Sequence, residues 1–149
     1  YGEMVNFARC NDLEALKRFH SEHKISLACS NQFNESLIHL ACRRGYVDMV
    51  KFLIHEAGAS LRVRDDYGRT PLHDACWTSQ PNVELMELLI SECPDLLLVS
   101  DKRGHCPFDY ARAENHGIWV KFLRKRQHLW TVAYRKKSTL ESAHLLVVG

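Results

Sequence analysis

Histidine and cysteine are the residues of this 149-residue chain whose side chains offer the most chemistry. The chain contains nine His and six Cys, which are the commonest protein ligands of zinc. His73 and Cys76 also stand three positions apart, a spacing that on one helix would place a thiol beside a base. No Cys-x-x-Cys pair and no pair of ligand clusters accompanies them. The residue types for a metal centre are therefore present without the spacing that such a centre needs, and the His73 and Cys76 pair remains to be explained.

The same residues recur at a fixed interval along the chain. Residues 70–76 read Thr-Pro-Leu-His-Asp-Ala-Cys, and residues 36–42, thirty-four positions earlier, read Ser-Leu-Ile-His-Leu-Ala-Cys. A more divergent copy, Cys-Pro-Phe-Asp-Tyr-Ala, occupies residues 106–111. Recurrence at a period of this size is typical of a repeat architecture. We therefore interpret His39, His73, Cys42 and Cys76 as structural residues and not as a catalytic or metal centre.

Each copy is predicted to begin as a turn that leads into a helix. Gly68 supplies the positive φ of a tight turn, and Thr70 followed by Pro71 is typical of a helix N-cap and first helical position. A second apolar stripe follows within residues 47–54, 83–90 and 118–123. Apolar residues three and four positions apart indicate the buried face of a second helix.

The pattern Asp-x-x-Gly-x-Thr-Pro-Leu-His-x-Ala that starts at Asp65 closely resembles the opening of an ankyrin repeat. The resemblance covers residues 4–126 and is absent from residues 127–149. It implies an all-α solenoid of four helix-pair repeats with projecting β-turn or hairpin loops, at about 1–30, 31–64, 65–100 and 101–126. Polar residues such as Arg18, His20 and Arg124 replace apolar ones in the end units, as a solenoid requires. Residues 127–149 are expected to form a C-terminal capping segment or tail.

The resemblance also implies a function. In ankyrin-like arrays the histidine at the position of His39 and His73 forms hydrogen bonds within the turn-helix junction and ties one repeat to the next. The concave side of such arrays binds partners. We therefore expect a non-catalytic interaction scaffold or adaptor for an unidentified protein or extended peptide, without metal or cofactor. The residues expected to contact the partner are Arg9, Gln32, Phe33, Glu35, Arg43, Arg44, Asp66, Tyr67, Arg69, Asp74, Trp77, Lys102, Arg103, His105 and Tyr110. Leu40, Thr78 and Glu114 belong to the same rows.

Three aromatic residues in these rows leave alternatives open. Phe33 and Tyr67 occupy the same turn-tip position in successive repeats, where they either anchor a partner or pack on the neighbouring turn. Trp77 stands beside a loop that is two residues longer than its counterpart, since His73 to Leu85 is twelve steps and His39 to Met49 is ten. Trp77 is expected either to anchor a partner or to cover that loop.

Charge is distributed unevenly along the chain. Residues 1–114 contain thirteen Lys and Arg against seventeen Asp and Glu, a net charge of −4, and residues 115–149 contain seven against one, a net charge of +6. The basic pole is either the solvated face of a capping helix or a docking site for an acidic protein, nucleic acid or an anionic lipid surface. Its cations are Lys121, Arg124, Lys125, Arg126, Arg135, Lys136 and Lys137.

Hydropathy and cysteine spacing bound the cellular setting. No run of eighteen apolar residues and no secretory leader is present, so we expect a protein without a transmembrane segment, cytoplasmic or nuclear. The six cysteines lack a framework spacing, and reduced thiols are expected. The apolar cluster Leu129, Trp130, Val132, Ala133 and Tyr134 is expected to continue over the last repeat.

Overall fold

The computed structural model describes residues 2–24 and 26–131. Seven α-helices lie wholly within these ranges: α1 Gly2–Arg9, α2 Leu13–His23, α3 Leu37–Arg44, α4 Val47–His55, α5 Pro71–Cys76, α6 Val83–Glu92 and α7 His116–Lys125. Short 3-10 helices cover Pro94–Leu98, Pro107–Tyr110 and Ala113–Asn115. The described residues form no strand, only an isolated antiparallel bridge between Ser30 and Ser36. The prediction of an all-α fold is confirmed.

The helices form contacting pairs, α1 with α2, α3 with α4 and α5 with α6. Their apolar faces meet in one continuous core. Burial of these aliphatic side chains supplies the main driving force for stacking one pair on the next. The fully buried members of this core include Leu16, Leu37, Met49, Leu53, Leu72, Leu85, Met86, Leu89 and Ile90.

The starts of the first helices follow the predicted cap chemistry. Thr70 has an extended backbone, with φ −91° and ψ 168°, and precedes Pro71 at the first helical position. Ser36 has the same role before α3, with φ −93° and ψ 172°. An extended cap residue turns the chain into the helix while its backbone carbonyl already accepts a helical bond. The predicted turn-to-helix transition is confirmed in both copies.

The segment after the third turn differs from the earlier copies. In place of a first α-helix it has the 3-10 helix Pro107–Tyr110, after which Ala111 and Arg112 are extended. The second helix, α7, is a full α-helix with Trp119 and Phe122 buried. The expected helix pair is therefore present here with a 3-10 helix as its first member. The repeat boundaries given above stay predictions.

The C-terminal prediction is only partly within the described residues. Residues 127–131 are helical, Leu129 packs against the core, and Trp130 Nε1 donates to the carbonyl of Leu123 at 2.9 Å. Val132, Ala133, Tyr134 and the rest of the segment to residue 149 lie outside the described residues. Among the described helices, none has the length and apolar character to cross a bilayer.

Candidate interaction site

Three turns project ahead of the first helices, and each is built around one side-chain oxygen. Asp65 Oδ1 accepts hydrogen bonds from the amides of Tyr67 and Arg69, both at 2.9 Å. Asn31 and Asp101 make the same pair of bonds in the turns before and after. Sequence reasoning assigned these residues no role, although their spacing of thirty-four and thirty-six positions was a visible signal.

The three turns are hydrogen-bonded to one another. The Asp66 amide donates to the Phe33 carbonyl at 2.8 Å, and the Lys102 amide donates to the Tyr67 carbonyl at 2.9 Å. Asn34 Nδ2 adds a bond of 2.9 Å to Asp66 Oδ1. The turn tips therefore form one fixed row, because each tip is held by the backbone of its neighbour.

Positive φ at the turns is required, as predicted for Gly68. Gly68 has φ +76°, and an added Cβ would lie 3.2 Å from the Lys102 amide nitrogen. Asn34 occupies the equivalent place with φ +58°, which a short polar side chain tolerates better than a branched one. Gly68 thus serves both the turn and the close approach of the next turn.

His39 and His73 connect each first helix to the following turn. The Ser36 amide donates to His39 Nδ1 at 3.2 Å, and His39 Nε2 lies 2.9 Å from the Arg69 carbonyl. His73 repeats this geometry with the Thr70 amide at 3.1 Å and the His105 carbonyl at 2.9 Å. An amide can only donate and a carbonyl can only accept, so each ring is the neutral Nε2–H tautomer. The structural role predicted for both histidines is confirmed.

Burial favours the neutral form of each of these histidines and cysteines. Burial lowers the pKa of His39 and His73, which favours the neutral ring. Burial also raises the pKa of the Cys42 and Cys76 thiols, and a protonated thiol is a poor nucleophile. All six cysteines lie in the described ranges as free thiols. Within those ranges no group of three or more His, Cys, Asp or Glu is placed to hold a metal ion.

Trp77 lies where three adjoining cavities meet. It follows the last residue of α5, is 54% exposed, and its ring lies 5.8 Å from that of Tyr110. Cavities of about 550, 230 and 270 Å³ all include Trp77 in their walls. Trp77 is therefore an accessible side chain within a concave surface, and it also borders the loop that follows it.

That loop, residues 77–82, is longer than the two-residue connection between α3 and α4, as predicted. Asn82 Nδ2 donates to the Gly45 carbonyl at 3.2 Å, and Asn115 Nδ2 donates to the Ser79 carbonyl at 3.1 Å. Thr78 Oγ1 donates to the Gln80 carbonyl at 2.9 Å. These bonds hold the loop to the units on both sides and fix the wall of the largest cavity.

The turn tips present exposed aromatic rings. Phe33 is 50% exposed and Tyr67 is 52% exposed. The Arg69 guanidinium lies 4.7 Å from the centre of the Tyr67 ring and its Nε is 3.1 Å from Asp65 Oδ2. Tyr67, Arg69 and Trp77 line a common cavity. Tyr67 thus borders one of the cavities around Trp77, and Phe33 borders none of the three.

The remaining residues expected at the interface fall into three groups. Exposed are Arg9, Gln32, Arg44, Asp66, Lys102, Arg103, His105 and Glu114, and half-buried are Glu35, Arg43, Arg69, Thr78 and Tyr110. Leu40 and Asp74 are buried, contrary to the expectation that they project outward. Both follow the junction histidine directly in sequence, and this helix position faces the neighbouring unit.

Asp74 is an unusual buried group. It is 5% exposed, and its Oδ2 is buried without a hydrogen-bond partner among the described residues. Burial raises the pKa of its carboxyl to about 7, against the opposing effect of Arg43 and Arg69. Asp74 lies in the wall of the 230 Å³ cavity together with Arg43, Arg69, His73, Trp77 and Tyr110.

The basic pole is partly occupied by internal contacts. Arg126 pairs with Glu87 at 3.1 Å, and its guanidinium lies 4.1 Å from the centre of the Phe122 ring. Lys121, Arg124 and Lys125 are exposed. Arg135, Lys136 and Lys137 lie outside the described residues, so the docking hypothesis for this pole stays a prediction.

Comparison with known proteins agrees with this architecture. Residues 4–96 match the family model described as ankyrin repeats in three copies. The chain is 27% identical over 128 residues to the SMC5-SMC6 complex localization factor protein 1 of Bos taurus, which covers 75% of this chain. It is 37% identical over 79 residues, or 53% of this chain, to protein phosphatase 1 regulatory subunit 27 of Homo sapiens. It is 32% identical over 104 residues, or 69% of this chain, to protein phosphatase 1 regulatory subunit 12A of Rattus norvegicus.

These relatives extend beyond the compared region. The chain spans 12% of the bovine protein, 51% of the human protein and 10% of the rat protein. The family model matches a repeat array, and repeat arrays of this kind form extended surfaces that bind other proteins.

Proposed function

Because the chain belongs to the ankyrin-repeat family, we propose that it is a non-catalytic scaffold that binds a partner protein or extended peptide. Its binding surface, here called the recognition face, comprises the turn tips and first-helix ends around Phe33, Arg44, Tyr67, Trp77 and Tyr110. The observation that carries the proposal is that three cavities meet at the exposed Trp77 ring and that Tyr67, an exposed aromatic residue at a turn tip, lines one of them. Aromatic and Arg side chains are the types enriched where interfaces concentrate their binding energy.

Rigidity is the proposed mechanism. The turn tips are joined by backbone hydrogen bonds, and the loop after Trp77 is held by Asn82 and Asn115. A surface that is already ordered loses little conformational freedom on association, so more of the contact energy appears as affinity. The identity of the side chains on the recognition face then sets partner choice.

The relatives are consistent with this role. Their names describe a localization factor for a complex and regulatory subunits of a phosphatase, which are functions exerted through other proteins. The residues that could have supported catalysis, His39, His73, Cys42 and Cys76, are buried in structural positions. A scaffold accounts for the exposed residues and for the buried ones together.

Affinity purification with mass spectrometry tests the proposal. The triple variant Phe33→Ala/Tyr67→Ala/Arg44→Glu should lose the partners that the unmodified chain captures from an extract of its source cells. A matched control is Ile118→Ala/Val120→Ala, since these α7 residues are 46% and 45% exposed and border none of the three cavities. The control should keep the partners.

Thermal unfolding of all three proteins separates lost binding from lost folding. Retention of every partner by the triple variant, with an unchanged melting temperature, would overturn the proposed recognition face. Equal loss in the triple variant and in the control would overturn it as well.

A further inference from the structure

The cavities that meet at Trp77 have basic residues in their walls. The largest, of about 550 Å³, is lined by three arginines and by no acidic residue. The cavity of about 270 Å³ is lined by three basic residues and one acidic residue. The cations of these two walls are Arg43, Arg44, Arg69, Lys102, Arg103 and Arg112. This basic concentration is local, because residues 1–114 contain thirteen Lys and Arg against seventeen Asp and Glu.

Four of these six cations form no ion pair within the described ranges. Arg43 pairs with Glu35. Arg69 pairs with Asp65 at 3.1 Å. A matched cation gains little from an added anion, whereas an unmatched one attracts it. The unmatched and exposed cations are Arg44, Lys102, Arg103 and Arg112.

The two acidic residues in the cavity walls are withdrawn from the surface. Asp74 is 5% exposed and Asp101 is 7% exposed. Asp101 Oδ1 accepts hydrogen bonds from two backbone amides of its own turn, and Oδ2 accepts one from the Tyr110 hydroxyl. Burial raises the pKa of Asp74 to about 7, which reduces its mean negative charge at neutral pH. Neither carboxyl therefore presents an exposed negative charge to the unmatched cations.

The exposed Trp77 ring connects the two groups of cations. Trp77 lies in the walls of both cavities. Arg44 and Arg112 line the larger cavity. Lys102 and Arg103 line the smaller one. A ligand that covers the indole ring can therefore extend toward positive charge on either side of it.

We propose that this surface binds an acidic segment of the partner protein, in which Asp and Glu residues flank an apolar residue that packs on Trp77. Guanidinium and ammonium groups donate charge-assisted hydrogen bonds to carboxylates, and the indole ring offers apolar area to the central residue. A nucleic acid carries a charge at every phosphate, whereas the unmatched cations are confined to two cavities. This proposal rests on the proposed recognition face and names the charge of what that face accepts.

A short acidic peptide serves as the probe, so that the test does not depend on knowing the partner. Acetyl-Glu-Asp-Glu-Leu-Glu-Asp-Glu-amide is titrated into the 15N-labelled chain, and the Trp77 indole N–H is followed by NMR. The matched peptide with Gln for Glu and Asn for Asp keeps the shape and lacks the charge, and it should bind about fivefold more weakly. Added NaCl should weaken binding of the acidic peptide alone, because salt screens exposed charges.

A cavity variant locates the site on the chain. Lys102→Gln/Arg103→Gln/Arg112→Gln removes three of the unmatched cations and keeps most of each polar stem. It should bind the acidic peptide about fivefold more weakly, since each exposed pair contributes modestly. The shift of the Trp77 indole N–H at saturation should persist, because the apolar contact remains.

A control variant removes the same amount of charge elsewhere. Lys121→Gln/Arg124→Gln/Lys125→Gln neutralises three exposed cations of α7, none of which lines the three cavities. It should bind the acidic peptide within twofold of the unmodified chain. Thermal unfolding of both variants should show that each remains folded, since all six positions are exposed.

Three results would overturn the acidic-segment proposal. They are equal binding of the acidic and amide peptides, unchanged binding in the cavity variant, and equal loss in the cavity and control variants. Tighter binding of an oligothymidine than of the acidic peptide, reduced in the cavity variant, would overturn it in favour of nucleic acid.

The recognition face is tested separately from the charge of its ligand. The cavity variant leaves Phe33, Tyr67 and Arg44 unchanged, and the capture experiment with the triple variant uses no peptide probe. Loss of partners by the triple variant without binding of the acidic peptide would overturn the acidic segment alone. Binding of the acidic peptide with every partner retained by the triple variant would overturn the recognition face alone.

Discussion

The junction at His73 and the cap at Asp109 use the same repeat position for different purposes. One ring nitrogen of His73 accepts a hydrogen bond from the Thr70 amide, and the other donates a hydrogen bond to the His105 carbonyl. Asp109 accepts a hydrogen bond of 2.8 Å from the Cys106 amide, and its side chain is exposed. Two polar atoms on opposite sides of one side chain are needed where a residue bonds both to the start of its own helix and to the turn of the next unit. A single acceptor is sufficient where only the local turn is held.

The largest expected effect comes from removing His73, the inner of the two residues compared. His73→Ala should lower the free energy of unfolding by about 4 kcal/mol, since it removes a buried ring and leaves the Thr70 amide and His105 carbonyl unpaired. Asp109→Ala should cost about 1 kcal/mol, as for an exposed cap. Urea denaturation followed by circular dichroism measures both. Equal losses would show that His73 does not join the units.

The glycines of the two turns sharpen the comparison. Gly68→Val should cost about 3 kcal/mol, because a branched side chain at φ +76° is strained and its Cβ meets the Lys102 backbone at 3.2 Å. Gly104→Val, at φ +81° with no atom within 4 Å of its Cβ, should cost about half as much. The melting temperatures of the two variants should differ accordingly. A larger loss for Gly104→Val would mean that turn stacking contributes little.

Asp74 gives a third contrast, between a buried carboxyl in the third unit and Leu40 in the second. The pKa of Asp74 is raised to about 7 in the folded protein from 3.8. The folded state therefore retains a proton that the unfolded state has lost between these values, and stability falls as pH rises through this window. Asp74→Asn should be more stable than the unmodified chain by about 2 kcal/mol at pH 7.5, with little difference at pH 4.

Urea denaturation at a series of pH values checks this prediction. The titration of His39 and His73 is common to both proteins and cancels in the difference. A difference in unfolding free energy that does not change with pH would show that the pKa of the Asp74 carboxyl is the same in the folded and unfolded states.

The smallest expected effect concerns Asn34, which takes the positive-φ position that Gly68 and Gly104 take elsewhere. Asn34→Gly relieves backbone strain and removes the bond from Asn34 Nδ2 to Asp66 Oδ1. These changes oppose each other, so the free energy of unfolding should change by less than about 0.5 kcal/mol. In an Asp66→Ala background the bond is already absent, and Asn34→Gly should then stabilise the protein. Calorimetry of the four proteins completes the cycle.

Local features were predictable because the sequence encodes them within a few residues. Thr70 with Pro71 and the positive φ of Gly68 depend on atoms within one turn and helix. The bond of His73 to the next unit was instead implied by the resemblance to ankyrin repeats, and the recurrence at His39 supported the same interpretation. The turn oxygens at Asn31, Asp65 and Asp101 were equally regular but had no assigned role. Their function, which is to hold each turn together, is seen only in the hydrogen bonds that they accept from backbone amides.

Features that depend on neighbouring units were not predictable. The burial of Asp74 results from packing against groups on three segments, among them Arg43 and Tyr110. In the last unit the first helix is shortened to the 3-10 helix Pro107–Tyr110, which is followed by extended backbone at Ala111 and Arg112. Sequence periodicity gives the order of helices, and it does not say which side chain the adjoining unit covers.

The clamped loop after Trp77 has a consequence for how such a surface can diversify. Asn82 and Asn115 anchor it to the units on either side, and its residues line the cavity of about 550 Å³. Insertions at this point would alter the footprint offered to a ligand while the superhelical path of the array stays the same. Recognition and architecture can thus change independently of each other in this molecule.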